Sequence, residues 1–453
     1  MKHGHDKPML RVARRLLALR IFSCAVLLMP VLGCETQAGV LVASGEDALL
    51  PNESAAPHRP IPNISLVDGS RLADIAEQLD QVAIVRSSAL PEMQAAQAQL
   101  RALKFDQYPQ IRPSASAPLT GGGASFGLNI EQLIWDGGRI RGRLTDDELK
   151  VASARLKAWE ERNATVYDGL EAYLGMARYQ ARIAALAVLK QELDAISTLV
   201  NVRLNGGVAD RGELLRVNTA LQSVARQAVT NRYAMRQAQN DFLRLLPDAR
   251  HAATLSDIRL ATNQCSRSWP DSEAPARALA RVSLLRTEAA EDVIRAQRFP
   301  KIVLSGGSNY SQGSWSNPAV GIRLDVSDML GLGRGDSVEA AMASTRAAKA
   351  SYALQQEETQ ADLARLEADY AGLQADATSL RALARSNVAT LDLYKDQLDA
   401  GSIPLTEGII LQRERIDTLT SLIDVESDIL LNCLRSSQRR GLLARLGATD
   451  GDN

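Results

Sequence analysis

Histidine is scarce in this 453-residue chain. There are four, His3, His5, His58 and His251, and none stands in a spacing that would hold a metal. No serine or cysteine occupies a recognisable nucleophile setting, so no motif supports catalysis or a bound cofactor. An excess of positive charge is lacking too. With 52 Lys and Arg against 53 Asp and Glu the formal net is −1, which leaves nothing to drive nucleic-acid binding. The apolar run Ile21–Leu32 is too short to be a spanning helix. Lys2, Lys7, Arg11, Arg14, Arg15 and Arg20 precede it, so it reads as a secretory signal. Proline is absent from Arg139 to Arg203, so nothing there interrupts a helix.

The signal ends in "VLGC", which has the form of a bacterial lipobox. It predicts cleavage before Cys34 and lipidation of that residue. Position 35 is Glu rather than Asp, which implies sorting to the outer membrane. Loss of residues 1–33 removes a net of +5 and leaves the mature chain at about −6. The segment after Cys34 is mixed, small and Pro-containing, and reads as a tether. There are four cysteines. With Cys24 in the signal and Cys34 as anchor, Cys265 and Cys433 remain, and in an oxidising periplasm they are expected to pair.

The body is duplicated at an offset of roughly 191 to 197 residues. "YPQI" at Tyr108 recurs as "FPKI" at Phe299, and "FGLNIEQLIWDGGR" (126–139) as "VGIRLDVSDMLGLGR" (320–334). "RLNGGVADRGELL" has a twin around Gly401. In the second half Leu363, Leu366, Tyr370, Leu373, Ala377, Leu380, Ala384, Asn387, Leu391, Tyr394 and Leu398 keep a 3,4 spacing, a heptad seam. Leu149, Ala152, Leu156, Trp159, Asn163, Val166, Leu170, Tyr173 and Ala177 do the same in the first. A helix over 139–203 would be roughly 95–100 Å long at 1.5 Å per residue. That length requires a rod, a bundle or the wall of a tube. Each glycine break is then the tip of a long antiparallel helical hairpin. Asn205, Gly206, Gly207 and Glu213 mark the first tip, and Asp399, Gly401 and Glu407 the second. Glycine ends a helix without a Cβ penalty, and the acids favour the N-terminus of the returning helix.

Four segments of about ten residues precede the long helices, two per repeat, with alternation at Phe126, Leu128, Ile130 and at Val320, Ile322, Leu324. Tyr108, Trp135 and Phe299 fall at their helix-side ends, where a belt at a lipid interface would lie. Four strands cannot close a barrel, and an open edge cannot exist in lipid. Strands that cross a membrane here would have to be shared among several chains. "GLGRG" (331–335) loosely suggests a dinucleotide loop. It reads instead as a strand-to-helix corner, because "WDGGR" fills the same place in the first half.

On "QLIWDGGR" (132–139) and the twin glycine tips, within the duplicated strand–hairpin–long-helix pattern, the chain resembles the outer membrane efflux protein (TolC-like) family over about residues 65–446. The resemblance implies a mainly α fold with a small membrane β-barrel contribution. It also implies a homotrimer, four strands per chain closing one 12-stranded barrel in outer-membrane lipid, and a helical tunnel across the periplasm. The tips would meet a periplasmic adaptor bound to an inner-membrane pump. The chain would be a passive exit duct for efflux or type I secretion, without cofactor or metal. Its cargo, whether drug, metal ion, polysaccharide or protein, is left open. The expected divisions are a signal (1–33), a tether (34–64), a first repeat (65–247), a linker (248–275), a second repeat (276–446) and a tail (447–453). One departure stands out. Where some members carry a second acid at the later tip this chain has Ile410, and the residues others use as a lock fall on Leu398 and Ile403. A periplasmic adaptor would have one hairpin rather than two, and a structural coiled-coil lipoprotein would leave the strands unexplained.

Overall fold

The computed structural model describes residues 71–116, 125–207, 210–247, 274–311, 314–327, 333–399 and 405–444. All of these lie in one compact unit, Glu46–Asn453. The expected signal, Cys34, the tether, Cys265 and Gly401 lie outside the described residues.

Helices α1 (Arg71–Arg86) and α2 (Ala89–Phe105) lead into strands β1 (Gln110–Ser116) and β2 (Ser125–Trp135), followed by α3 (Arg139–Asn205) and α4 (Arg211–Leu245). The second half runs α5 (Pro275–Ala296), β3 (Lys301–Ser311), a two-residue β4 (Ser314–Trp315), β5 (Ala319–Asp325), α6 (Arg334–Asp399) and α7 (Leu405–Arg439). The long helices match in length, with 67 residues in α3 and 66 in α6, and 35 in each returning helix. At 1.5 Å per residue α3 is about 100 Å long. None of the described helices is long and apolar enough to cross a membrane.

The strands are antiparallel in the order β1-β2-β3, with β5 on the far side of β3 and β4 paired only with the end of β3. β1 is shorter than the segment suggested by alternation. Residues 105–108 form a turn, with the Tyr108 amide donating to the Phe105 carbonyl at 3.1 Å, and Pro109 has no N–H to donate. Pro113 lies within β1, which is an edge strand of the chain, where proline is tolerated. The join between β2 and β3 unites the two repeats in one sheet.

α3 is the strut on which the helices assemble. It contributes Val166, Leu170, Tyr173 and Ala177 to a core with α1, the end of α4 and α7. Leu149, Leu156 and Trp159 pack on α5, and Val151 and Ala154 on α2. Towards the tip Leu186, Leu189, Leu193 and Val200 pack against α4 and the first half of α7. Every seam residue of α3 quoted above is buried, as the heptad spacing requires. The α6 seam is buried or half-buried at each position as well. Leu354, Leu383, Val388 and Leu393, which lie off the seam, are exposed in the single chain.

Polar groups fix the register of this packing. Arg178 on α3 pairs with Asp424 at 2.8 Å and Asp428 at 2.9 Å on α7. The Asn163 side chain accepts from the Leu443 and Ala444 amides at 2.8 and 3.1 Å, and the Trp159 indole donates to the Ala444 carbonyl at 3.0 Å. Two seam residues thereby dock the end of the second repeat onto the first. The Arg162 side chain is fully buried and donates twice to Asp80 on α1, at 3.0 and 2.8 Å.

Truncating one member of such a buried pair leaves the other charge uncompensated. Arg162→Met should therefore cost about 3–5 kcal/mol, and Asp80→Leu/Arg162→Met should recover most of it. The midpoint of unfolding reads both. A single variant as stable as the parent chain would show that the pair does not hold α1 to α3.

Candidate functional site: a two-faced sheet and the helical tips

Strand geometry sends alternate residues to opposite faces. The register places Ile111 opposite Ile130, Ile130 opposite Gly306 and Gly306 opposite Val320. Leu128, Leu304, Ile322 and Leu324 share that face by the same register, and it is predominantly apolar, with Gln132 and Ser308 its polar side chains towards the two ends. It is also uncovered: Val320 and Ile322 are each 76% exposed and Ile111 64%. The other face carries Gln110, Arg112, Ser114, Asn129, Glu131, Ser305, Asn309 and Arg323. An exposed apolar face opposite a polar one, on strands of 7 to 11 residues, fits hydrocarbon on one side and water on the other.

Aromatic rings cluster at both ends of the apolar face. Trp135 and Phe299 meet edge to face at 5.8 Å, and Phe105 and Tyr108 lie 6.3 Å apart at the helix side. Tyr310 and Trp315 pack at 5.4 Å at the far side, beside Phe126 in register with Tyr310. Helix-side aromatics were expected. The far cluster was missed because Tyr310 and Trp315 look unremarkable in a serine- and glycine-rich segment until the hairpin brings them together. Between Phe126 and Trp135 the strand spans roughly 30 Å before tilt.

The two repeated corner motifs meet at one place. Asp136 accepts from the Gly138 and Ile140 amides at 3.0 and 2.7 Å, and Gly137 and Gly138 take positive φ of 73° and 96°. Only glycine does this without strain. The Arg139 guanidinium, buried, then donates to the carbonyls of Ala296, Gln297 and Phe299. Arg334, its counterpart in "GLGRG", donates to the same Gln297 carbonyl at 2.8 Å. Of "GLGRG" the described part is Gly333, at φ 86°, followed by the start of α6 at Arg334, and both arginines tie a helix start to the residues just before β3.

At the first tip α3 ends at Asn205, and Gly207 adopts φ 75° with open space around it. Asn205, Gly206 and Gly207 are all exposed. The side chain of Asp210 then caps α4 by accepting from the Gly212 amide, and Glu213 lies in the first turn. At the second tip α6 ends at Asp399, and Glu407 lies in the first turn of α7.

Packing brings the tips together around Tyr394, a seam residue sequence reading treated only as core. Its ring lies against Gly408, where an added Cβ would sit 2.6 Å from the hydroxyl. Burial pushes the Tyr394 hydroxyl pKa up. The Gly408 amide and Arg203 oppose that shift, and Glu407 and Glu213 add to it. Both expected tip acids and Arg203 thus act on one buried phenol. Leu398 packs against the tip core and Ile410 is 51% exposed, so neither contributes charge. Elsewhere on α7, Cys433 is buried and disulfide-bonded. Among the described residues no group of acidic, His or Cys side chains could hold a metal.

Residues 83–246 match the family described as "Outer membrane efflux protein". No curated protein matches the chain. Among solved structures the chain is similar to CusC, at 18% identity over 82% of this chain and 92% of that one, with TM-score 0.69. It is similar to a membrane protein from Pseudomonas aeruginosa at 20% identity over 82% and 90%, TM-score 0.66. The outer membrane protein VceC from Vibrio cholerae is 15% identical over 81% and 96%, TM-score 0.68. At these identities the likeness establishes a shared fold.

Adding a methyl at Gly408 forces the Tyr394 ring away from α7. Gly408→Ala should destabilise the tip by about 1–3 kcal/mol, the usual cost of overpacking. Amide exchange over residues 405–409 should accelerate accordingly. Exchange unchanged from the parent would show that the Tyr394 contact does not secure the tip.

Proposed function

We propose, for a chain whose residues 83–246 belong to the outer membrane efflux protein family and whose fold is that of the TolC-like channels, that it is the passive outer-membrane exit duct of a tripartite efflux or type I secretion system. The observation that carries this reading is the two-faced sheet with open edges. β1 and β5 have no strand beyond them among the described residues, and one face is apolar and exposed. Unpaired backbone is not tolerated in hydrocarbon. Three chains would pair β5 of one with β1 of the next and close a 12-stranded barrel, above the minimum of about eight. Exposed apolar residues of α6 outside its seam, such as Leu383 and Leu393, would meet neighbouring copies in the same trimer.

The helices then wall a periplasmic tunnel, and the tips form its entrance. Asn205, Gly206, Gly207 and Glu213, with Asp399, Gly401 and Glu407, are the surface offered to a periplasmic adaptor carrying an inner-membrane pump. The chain performs no chemistry, and energy comes from the pump. Opening is a shift in population between two arrangements of the tip helices, biased by the adaptor. Lipidation at Cys34 adds a second hold on the outer membrane. The Cys433 disulfide is assigned to Cys265, which would tie the segment between the repeats to α7. The repeats are taken as 65–247 and 276–446, joined by 248–275.

Native mass spectrometry of the detergent-extracted mature protein should find three copies. Each should begin at Cys34 with added acyl mass and be two hydrogens lighter than the reduced chain. An unlipidated monomer would remove the means by which these strands could cross a membrane and would favour a coiled-coil lipoprotein. Deleting residues 206–210 or 400–404 should abolish export and leave the trimer intact; undiminished export would exclude the tips as the entrance.

A further inference from the structure

The polar face of the sheet carries one charge cluster that barrel closure does not need. The Glu131 side chain accepts from Arg112 on β1 at 3.2 Å through one oxygen, and from Arg323 on β5 at 2.7 Å through the other. The three residues come from three strands, with β3 between Glu131 and Arg323. Ser305 and Gly321, which flank that gap in register, are small enough to let the Arg323 side chain cross it. Exposure is unequal. The Glu131 side chain is 19% exposed, and those of Arg112 and Arg323 are 64% and 55%. The carboxylate is sandwiched, and the guanidiniums are what a passing solute meets.

Lys301 and Asp325 are register partners one step nearer the helices and cancel each other. The triad therefore leaves one net positive charge per chain. Its level is also defined. Arg112 is two residues inside the start of β1, and Arg323 two residues from the end of β5. That is the junction where the strands meet the helices, well separated along the chain's length from Glu213 and Glu407 at the tips.

We propose that Arg112, Glu131 and Arg323 form an anion-selective collar at the helix-side mouth of the barrel, favouring solutes that carry phosphate or carboxylate groups and retarding cations. This rests on the trimeric duct reading, in which the polar face lines the lumen and three triads stand at one level. On the order of three net positive charges would then act on a water-filled passage with low-dielectric walls, where fields are focused. Guanidiniums suit phosphate and carboxylate oxygens because their N–H donors form a planar fork. Glu131 holds the two forks apart on the wall, so that neither folds across the passage.

The test uses the purified full-length protein in planar phosphatidylcholine bilayers, with pyrophosphate added on the barrel side. The wild type should show a reversal potential of anionic sign in a KCl gradient, and pyrophosphate should lower its conductance several-fold. Arg112→Gln/Glu131→Gln/Arg323→Gln leaves no uncompensated carboxylate, and native mass spectrometry confirms that it assembles. It should lose both properties, whereas Glu131→Gln alone should strengthen the block. Pyrophosphate block equal in the wild type and the triple variant, or absent from both while ions still pass, overturns the collar. A wild-type protein that is monomeric overturns the duct and the collar with it.

Discussion

Backbone hydrogen bonding in hydrocarbon is the constraint from which the rest follows. β1 and β5 present N–H and C=O groups on their outer edges, and the sheet they bound is greasy on one side. Water cannot satisfy those groups within a bilayer, and a sheet of this width cannot curl onto itself. In the proposed duct, closure by further copies would satisfy both the edges and the apolar face. Each repeat supplies half of the chain's sheet, and β2–β3 pairing joins the halves.

The helical part solves a different problem. Helices of about 100 Å cannot bury themselves in one compact core, so α3 is stapled at intervals. Asp80–Arg162 acts near α1, Arg178 with Asp424 and Asp428 near the middle, and the aliphatic cluster around Leu193 and Ile409 near the tip. Between these points α3 is packed through Val166, Leu170 and Tyr173, and further on through Leu186 and Leu189. In the proposed duct, separate clusters along α3 would let the tip rearrange while packing at the barrel end is kept. Tyr394 packs against Gly408 at the tip, and the charges of Arg203, Glu213 and Glu407 act on its hydroxyl.

Much of this could be read from residues in order. Heptad spacing gave the seams because a helix presents every third or fourth residue to one side. Glycine pairs gave the ends because a left-handed turn needs a residue without a Cβ, and Gly207 adopts φ 75°. Alternation gave the two faces of β2 and β5. Other features gave little sign. Asn163 looked like a small polar residue in a seam, yet it binds two amides more than 270 residues away. Arg139 and Arg334 looked like ordinary basic residues after a turn, yet they share the Gln297 carbonyl. Tyr310 and Trp315 became a cluster only through the hairpin.

The sequence by itself determined the duplication, the lengths of the helices, the tip positions and the amphipathic strands. Each of these is a periodicity or a backbone preference, carried by residues close together in the chain. Tertiary structure alone decided which distant groups meet. It set Arg112 and Arg323 on either side of Glu131, brought both tip acids near Tyr394, and placed Leu443 and Ala444, beyond α7, on Trp159 and Asn163. Register across strands and rotation of helices about their axes are fixed by packing summed over the whole molecule. No local stretch of residues encodes either one.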